Sequence, residues 1–230
     1  VEVAAIVSDR HENVQKVPYY PERSGSQSRD GSSDVWLLKR VLQEGRQILR
    51  VAGAGSEFDV TLQLPGQIYE ANTLASIAAA HALGISFEQI ASAVASFRGT
   101  WRRFEIICRR EDGTSKLLDV ARSKIVISDY AHHPTSVRET IKAAREFFPG
   151  RRILVVFQPH QRNRTKNLLD GFVESLALAD QIIVCEIFDV TGREEGLEVS
   201  SRDIAARLQK TGRPALYAAD LVEAERMARE

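Results

Sequence analysis

The stretch that decides the fold is Ile125-Val-Ile-Ser-Asp-Tyr-Ala-His-His-Pro-Thr135, an apolar run that leads into a loop of acid, phenol and imidazole side chains. The apolar part, Ile125–Ser128, is typical of a buried strand in a parallel sheet. The serine and glutamate of residues 136–139 predict a helix start, because they can cap the free amides of a helix. Ligands of open α/β sheets bind where strands end. We therefore expect function at residues 129–135.

The second half of the chain alternates between apolar runs and amphipathic segments. This pattern predicts a doubly wound, mostly parallel, Rossmann-like sheet with right-handed crossovers. Capping patterns predict the starts of the last two helices. The predicted strands are 125–128, 152–157, 181–185 and 215–218, and the two capping patterns are 200–203 and 220–223.

The first hundred residues differ from this alternation. They contain several strand-like pieces, then two helices, and then a hinge-like segment that precedes a hairpin turn. These pieces are the strands at 3–7 and within 45–64, the helices at 71–83 and from 86, the hinge at 97–104 and the turn at 111–114. We place a boundary near Arg102. The fold class expected is α/β, with an incomplete α/β domain over 1–101 and the Rossmann-like domain over 102–230.

Composition narrows the classes of partner. The chain has 31 basic and 31 acidic residues, and 43% of its residues are hydrophobic. It lacks the net basic field typical of general nucleic-acid or membrane surfaces, so neither partner is expected. No run approaches the ~20 apolar residues of a membrane span. We expect a cytoplasmic location, and a first residue other than methionine suggests a piece of a longer protein; the oligomeric state stays open.

Three polar loops follow three successive predicted strands, at residues 129–135, 158–165 and 189–195. Because parallel strands end at the same edge of a sheet, we expect these loops to form one site. His132 and His133 could bind phosphate, transfer protons or ligate a metal. Their spacing is not typical of a metal site. A structural role for His133 is equally compatible with the sequence.

Other polar residues have two readings each. Arg162 and Arg164 can clamp a carboxylate or phosphate with paired donors, or be solvated surface groups. Asn72, near a predicted helix start, could read an adenine edge or cap the helix. Arg102 and Arg103 could bridge two domains around an anionic ligand, or form a solvated pair.

Four motifs resemble, in order, those of the Mur ligases, the ATP-dependent amide-forming enzymes of peptidoglycan synthesis. The resemblance runs from about Asp34 to the C-terminal end. It favours the branch that joins L-alanine to UDP-N-acetylmuramate. The motifs are Leu64-Pro-Gly66 with Asn72, Phe97-Arg-Gly99 with Arg102-Arg-Phe-Glu105, Asp129-Tyr-Ala-His-His-Pro-Thr135, and Phe157-Gln-Pro-His160 with Arg164-Thr165.

The resemblance implies ATP and Mg²⁺ as cofactors, and UDP-N-acetylmuramate and L-alanine as substrates. ATP would phosphorylate the muramoyl carboxylate, and the amine of L-alanine would attack the acyl phosphate. No metal-ligating residue is expected in this chain. The implied nucleotide-binding residues are Asn72, Arg103 and Asp129, the implied substrate-binding residues are Tyr130, His160 and Arg164, and the implied catalytic residues are His132 and Arg164.

The chain departs from the family pattern in three places. Ile68-Tyr69 stands where the family has His-Asn, and Gln161 stands where it usually has arginine. The sequence also lacks the G-x-x-x-x-G-K-[ST] loop that cradles phosphates. We therefore expect this chain to contain part of the family's central domain and most of its C-terminal domain. We expect it to be inactive alone.

Three alternatives remain open. The first is a ligase of the same family that recycles murein tripeptide. The second is a non-catalytic, nucleotide-binding relative that kept the fold. The third is a metal-dependent hydrolase that uses His132, His133 and His160.

Overall fold

The computed structural model describes residues 3–9, 13–20, 35–43, 45–108, 125–188 and 199–229, with side chains from residue 35 onward except that of Cys108. Packing separates the chain into two compact units, which divide between Ile127 and Ser128. The boundary predicted near Arg102 stays a prediction. The predicted turn at 111–114 and the third polar loop at 189–195 lie outside the described residues.

The first unit contains a five-stranded sheet in the order β1-β2-β3-β4-β5. Strands β2 and β3 pair in parallel, and the other neighbours are antiparallel. Ala54 and Gly55 both have positive φ angles, 44° and 78°, as a tight hairpin turn between β4 and β5 requires. The strands are β1 Val3–Asp9, β2 Asn13–Tyr20, β3 Val35–Gln43, β4 Arg46–Gly53 and β5 Ser56–Leu62.

Two helices, α1 Gln67–Ala82 and α2 Phe87–Ser96, pack on this sheet. The core between the helices and the sheet is apolar and buried, and it includes Leu49, Val51, Val60, Leu74 and Ile77. The capping box predicted at Ser86 and Gln89 is confirmed. Helix α1 begins earlier than residue 71, at a glycine N-cap without a side-chain hydrogen bond. Ordinary capping patterns therefore could not reveal this start.

Strand β6, Glu105–Cys108, pairs with β7, Ile125–Ser128, in a sheet of two strands. The prediction of a buried β7 is wrong, because Val126 is 45% exposed. A two-stranded sheet leaves faces uncovered that a larger sheet would bury. Strand β7 therefore leads into the second unit without belonging to its parallel sheet.

The second unit contains a parallel sheet in the order β10-β9-β8. The predicted strands at 152–157, 181–185 and 215–218 are confirmed, and the capping patterns at 200–203 and 220–223 lie at helix starts. The elements are α3 Pro134–Phe147, β8 Leu154–Phe157, α4 Arg162–Asn167, α5 Leu169–Leu176, β9 Gln181–Cys185, α6 Ser201–Lys210, β10 Ala215–Ala218 and α7 Leu221–Arg229.

Different helices cover the two faces of this sheet. Ile182 and Val184 of β9 share a core with residues of α3, α5 and α6. Their neighbours Ile183 and Cys185 share a core with Ala224 of α7. Since successive side chains of a strand point to opposite faces, helices lie on both sides. The α/β, doubly wound fold class is confirmed.

Among the described helices, the longest has 16 residues. None of them combines the length and apolar composition that crossing a membrane requires.

Candidate functional site

The polar loop after β7 ends where α3 begins, at Pro134. His133 is the N-cap of this helix, and its Nδ1 accepts a hydrogen bond of 3.3 Å from the backbone amide of Thr135. Proline suits the first helical position, because the amide that it lacks would have no helical partner there. The helix start predicted at residues 136–139 is therefore wrong. His133 and Pro134 start the helix before Ser136 can cap it.

The two adjacent histidines have opposite hydrogen-bonding roles. Nδ1 of His132 lies 2.9 Å from the backbone oxygen of Tyr130. A carbonyl oxygen only accepts, so this Nδ1 carries a proton, and in the neutral ring Nε2 is then the nitrogen with the lone pair. In His133 the lone pair is on Nδ1, and Nε2 carries the proton. His132 thus offers a proton acceptor, whereas His133 serves the helix start.

The side chains before His132 are held in place. The rings of Tyr130 and His132 lie 5.2 Å apart with a tilt of 57°. Oδ2 of Asp129 accepts a hydrogen bond of 2.9 Å from the hydroxyl of Thr140 in α3. The helix that His133 caps therefore also orients the carboxylate at the start of the loop.

Helix α5 fixes the end of the same loop. The hydroxyl of Ser175, which is fully buried, lies 2.8 Å from the backbone oxygen of Pro134. A Cβ at Gly171 would approach Cγ of Pro134 to 3.0 Å, so a larger residue would crowd the contact. Sequence reasoning missed both residues. Their signal is a pair of small residues four positions apart, on one face of a helix.

The second polar loop follows β8 and runs beside the chain that leaves β9. His160 and Phe188 form a parallel bridge, and their rings lie 5.2 Å apart. The amide of Phe188 donates to the oxygen of Pro159 at 2.8 Å, and the amide of Gln161 donates to Phe188 at 3.1 Å. The second loop and the chain that leaves β9 thus meet at one edge. Strand β7, which leads into the first loop, pairs with β6 and not with this sheet.

Helix α4 begins at a strained residue. Gln161 has φ 71° and ψ 128°, a conformation that residues other than glycine rarely adopt. Its backbone oxygen accepts from the amide and the hydroxyl of Thr165, at 3.1 and 2.8 Å. Thr165 is fully buried. These bonds hold the turn between His160 and Arg164.

The two arginines of α4 differ in their surroundings. Arg162 donates to the backbone oxygen of Val199 at 2.8 Å, so it supports the segment before α6. The half-buried Arg164 has no hydrogen bond or ion pair from its guanidinium to any described residue. Of the two candidate clamps, Arg164 is therefore the one available to an anion.

Sequence reasoning missed Glu186, which directly follows β9. Its carboxylate accepts from the hydroxyl of Tyr217 at 2.8 Å, the hydroxyl of Ser200 at 3.3 Å and the amide of Ile187 at 2.8 Å. Its backbone oxygen accepts from Gln158 at 3.3 Å. Glu186 thus ties the second loop to β10 and to the start of α6. A lone acid after an apolar strand was the available signal.

These contacts set the charge of Glu186. Burial, the largest single influence, would raise its pKa, but hydrogen bonds from Ile187, Tyr217, Ser201 and Ser200 together lower the pKa below its usual value. The same bond raises the pKa of Tyr217, because the hydroxyl donates to a carboxylate. Glu186 is therefore an ionised structural centre at the edge of the sheet.

Two further predicted site residues lie in the first unit. Asn72 lies in the second turn of α1, which excludes helix capping. Its exposed carboxamide has no hydrogen bond to a described residue. The segment that contains Arg103 packs against the turn before α1, because a Cβ at Gly99 would meet Cδ2 of Leu64 at 2.8 Å. The structure thus brings the Leu64-Pro-Gly66 motif and the Phe97-Arg-Gly99 motif together in the first unit.

No group of three or more histidine, cysteine, aspartate or glutamate residues in the described part of the chain could hold a metal ion. The donor sets present here therefore do not fit a Mg²⁺ site by themselves. The exposed amide of Asn72 does fit the paired donor and acceptor of an adenine edge.

Comparison with known proteins identifies relatives. Residues 102–230 match the family model described as Mur ligase, glutamate ligase domain. The UDP-N-acetylmuramate–L-alanine ligase of Gloeobacter violaceus is 41% identical over 189 residues, which cover 82% of this chain and 36% of that protein. The enzyme of the same name from Sulfurihydrogenibium sp. is 32% identical over 225 residues, which cover 97% of this chain and 46% of that protein.

A solved structure agrees with these relatives. The crystal structure of the UDP-N-acetylmuramate–alanine ligase MurC of Thermotoga maritima matches with a TM-score of 0.66 and 28% identity, over 86% of this chain and 40% of that chain. The chain thus spans less than half the length of each of these relatives.

The capping role of His133 is testable by substitution. His133→Ala removes the acceptor for the Thr135 amide, so the free energy of unfolding should fall by about 0.5–2 kcal/mol. His133→Asn keeps a side-chain acceptor and should stay close to the wild type. Urea unfolding measures both. Equal losses in the two variants would contradict the capping role.

The ionised state of Glu186 predicts a pH dependence. Because its folded pKa is lowered, its stabilising effect is present above the unfolded pKa and is lost as pH falls through the folded pKa. Glu186→Gln should lower the free energy of unfolding by about 1–3 kcal/mol at neutral pH. The difference from wild type should shrink in acid. Urea unfolding from pH 7 to pH 3 checks this, and a difference independent of pH would contradict it.

Proposed function

The chain belongs to the Mur ligase family, and we propose that it is the part of an ATP-dependent ligase that binds the amino-acid acceptor and helps to join L-alanine to UDP-N-acetylmuramate. The relatives named for these two substrates support the choice. The proposal concerns the complete protein, because the chain spans 36% to 46% of those relatives. We assign the reaction to peptidoglycan synthesis in the cytoplasm.

The observation that carries the proposal is Nε2 of His132 together with the guanidinium of Arg164, because neither group has a hydrogen bond or ion pair to a described residue. Forming an amide requires that the attacking amine lose a proton, and His132 offers an acceptor whose opposite nitrogen is fixed on the oxygen of Tyr130. The tetrahedral intermediate carries negative charge on oxygen. A cation that no described carboxylate neutralises can stabilise that charge.

We assign binding of the acceptor to Tyr130, His160 and Arg164. The fold fixes the chain near two of them: Tyr130 lies before the capped start of α3, and His160 is bridged to Phe188. Arg164 can form paired hydrogen bonds with a carboxylate. Gln161 offers a neutral carboxamide beside it, which distinguishes this loop from the family pattern.

We assign nucleotide binding to Asn72, Arg103 and Asp129. The carboxamide of Asn72 would pair with the adenine edge, and Asp129 is oriented by Thr140. ATP would supply the phosphoryl group that activates the carboxylate, and Mg²⁺ would offset the charge of its phosphates. The sequence has no G-x-x-x-x-G-K-[ST] loop, so the phosphates need residues from outside this chain. We therefore expect this chain alone to be inactive.

The function is tested on the complete protein with ATP, UDP-N-acetylmuramate and labelled L-alanine. We expect one phosphate released for each amide formed. Murein tripeptide replaces L-alanine in a parallel reaction. Activity with tripeptide alone would replace this proposal by the recycling ligase, and ATP binding without any ligation would replace it by a non-catalytic relative.

Substitution of Arg164 tests the acceptor site. Arg164→Met should lower kcat/KM for L-alanine by about 100-fold, since hydrogen bonds to a charged group are worth ~1.5–3 kcal/mol. Lys166→Met is the matched control, because Lys166 is an exposed cation of the same short helix. Steady-state kinetics should show little change in the control. Equal losses in both variants would contradict a specific role for Arg164.

A further inference from the structure

A buried polar network surrounds the turn before α1. Gln47 of β4 is fully buried, and Glu70 of α1 is 7% exposed. The side-chain amide of Gln47 donates to the backbone oxygens of Leu64 and, at 3.2 Å, of Gly66. Its oxygen accepts from Nε of Arg40 in β3. Every polar atom of this glutamine side chain therefore has a partner.

Arg40 connects Gln47 to the helix. Its Nε also lies 3.2 Å from Oε2 of Glu70, in the first turns of α1. The side chains of this ion pair are 16% and 9% exposed. The sheet register explains the geometry: Gln47 pairs with Leu42, and Arg40 lies two residues further on the same face. Two strands thus hold one turn and one helix start.

The start of α1 depends on these contacts, because it has no side-chain cap. Its N-cap, Gly66, has φ 92° and ψ 155°, which disfavours any residue with a Cβ. Pro65 has no amide to donate. The turn therefore offers its carbonyl oxygens as hydrogen-bond acceptors, and the side-chain amide of Gln47 donates to two of them.

A buried polar network of this kind is expected to add little to the free energy of unfolding. Buried ion pairs often contribute no more than apolar residues of the same volume, because desolvation opposes them. Their better-attested effect is to select one conformation. Here the selected conformation is the turn from which α1 extends, and Asn72 lies about 9 Å along the axis from that turn.

We propose that Gln47, supported by the Arg40–Glu70 ion pair, is a positioning residue that sets ATP affinity by fixing the start of α1 and hence the place of Asn72. The inference rests on the proposed function, since it assigns Asn72 to the nucleotide. Gln47 itself touches neither substrate nor reacting atoms. Its loss should weaken nucleotide binding and leave the chemistry and the acceptor site unchanged.

The test uses the complete protein with Gln47→Met, which has a similar shape but no donor. We expect KM and Kd for ATP to rise about tenfold, while kcat and KM for L-alanine stay within about twofold, because tenfold corresponds to ~1.4 kcal/mol of binding. Gln209→Met is the matched control. Its side-chain amide also donates to a backbone oxygen, that of Ala215, at 2.7 Å in the second unit.

The control should lower the melting temperature and leave KM for ATP unchanged. A lower melting temperature for Gln47→Met with an unchanged KM for ATP would overturn the inference, as would equal changes in KM for both substrates. If Gln47→Met does not fold, Glu70→Gln replaces it under the same criteria. A wild-type protein that neither binds ATP nor ligates would overturn the proposed function and this inference together. Normal wild-type activity with an unaffected variant would overturn the inference alone.

Discussion

The contact between Pro134 and helix α5 is the constraint on which the candidate acceptor site depends. Proline at the first helical position lacks only an amide that would have no helical partner there, and its backbone oxygen lies 2.8 Å from the buried hydroxyl of Ser175, which is also 2.7 Å from the backbone oxygen of Gly171. Gly171 leaves room for the proline ring. Because α5 follows α4 directly, one helix fixes the loop of His132 and limits where Arg164 can lie. Neither loop could be displaced without disturbing a packed core.

Glu186 and Arg164, two charged residues of the second unit, differ in their surroundings. Glu186, the acid after β9, accepts hydrogen bonds from a tyrosine, a serine and a backbone amide, and it forms no ion pair with a described cation. Arg164 correspondingly has no acidic partner among the residues that the structure describes. An unpaired, half-buried guanidinium costs solvation energy. Binding an anion would recover that energy, which makes this position suited to carboxylate recognition.

Sequence patterns predicted the elements whose signals are local. The capping boxes at Ser86 and Ser200 and the apolar strand at Gln181–Cys185 depend on neighbours within four residues. The predicted start of α1 was wrong because the actual start depends on a distant partner, Gln47, which binds a turn 17 residues away. The predicted start of α3 was wrong because His133 and Pro134 begin the helix before Ser136. In the candidate site, the sequence predicted roles for His132 and Arg164, and these roles stay predictions. The sequence could not identify Glu186, whose partners gather only in the folded sheet.

Helix starts, rather than helix interiors, thus determine where the polar groups of this chain lie. The departures from the family pattern fall at such starts. Ile68 and Tyr69 occupy the first turn of α1, and Gln161 is the N-cap of α4. Ile68 is exposed, so its substitution leaves the buried face of α1 intact, whereas Tyr69 packs against the core that includes Leu74 and Ile77. A change at an exposed residue of a helix start can therefore alter what the site binds while the fold stays the same. The buried Arg40–Glu70 pair holds α1 at the same turn that carries Ile68 and Tyr69.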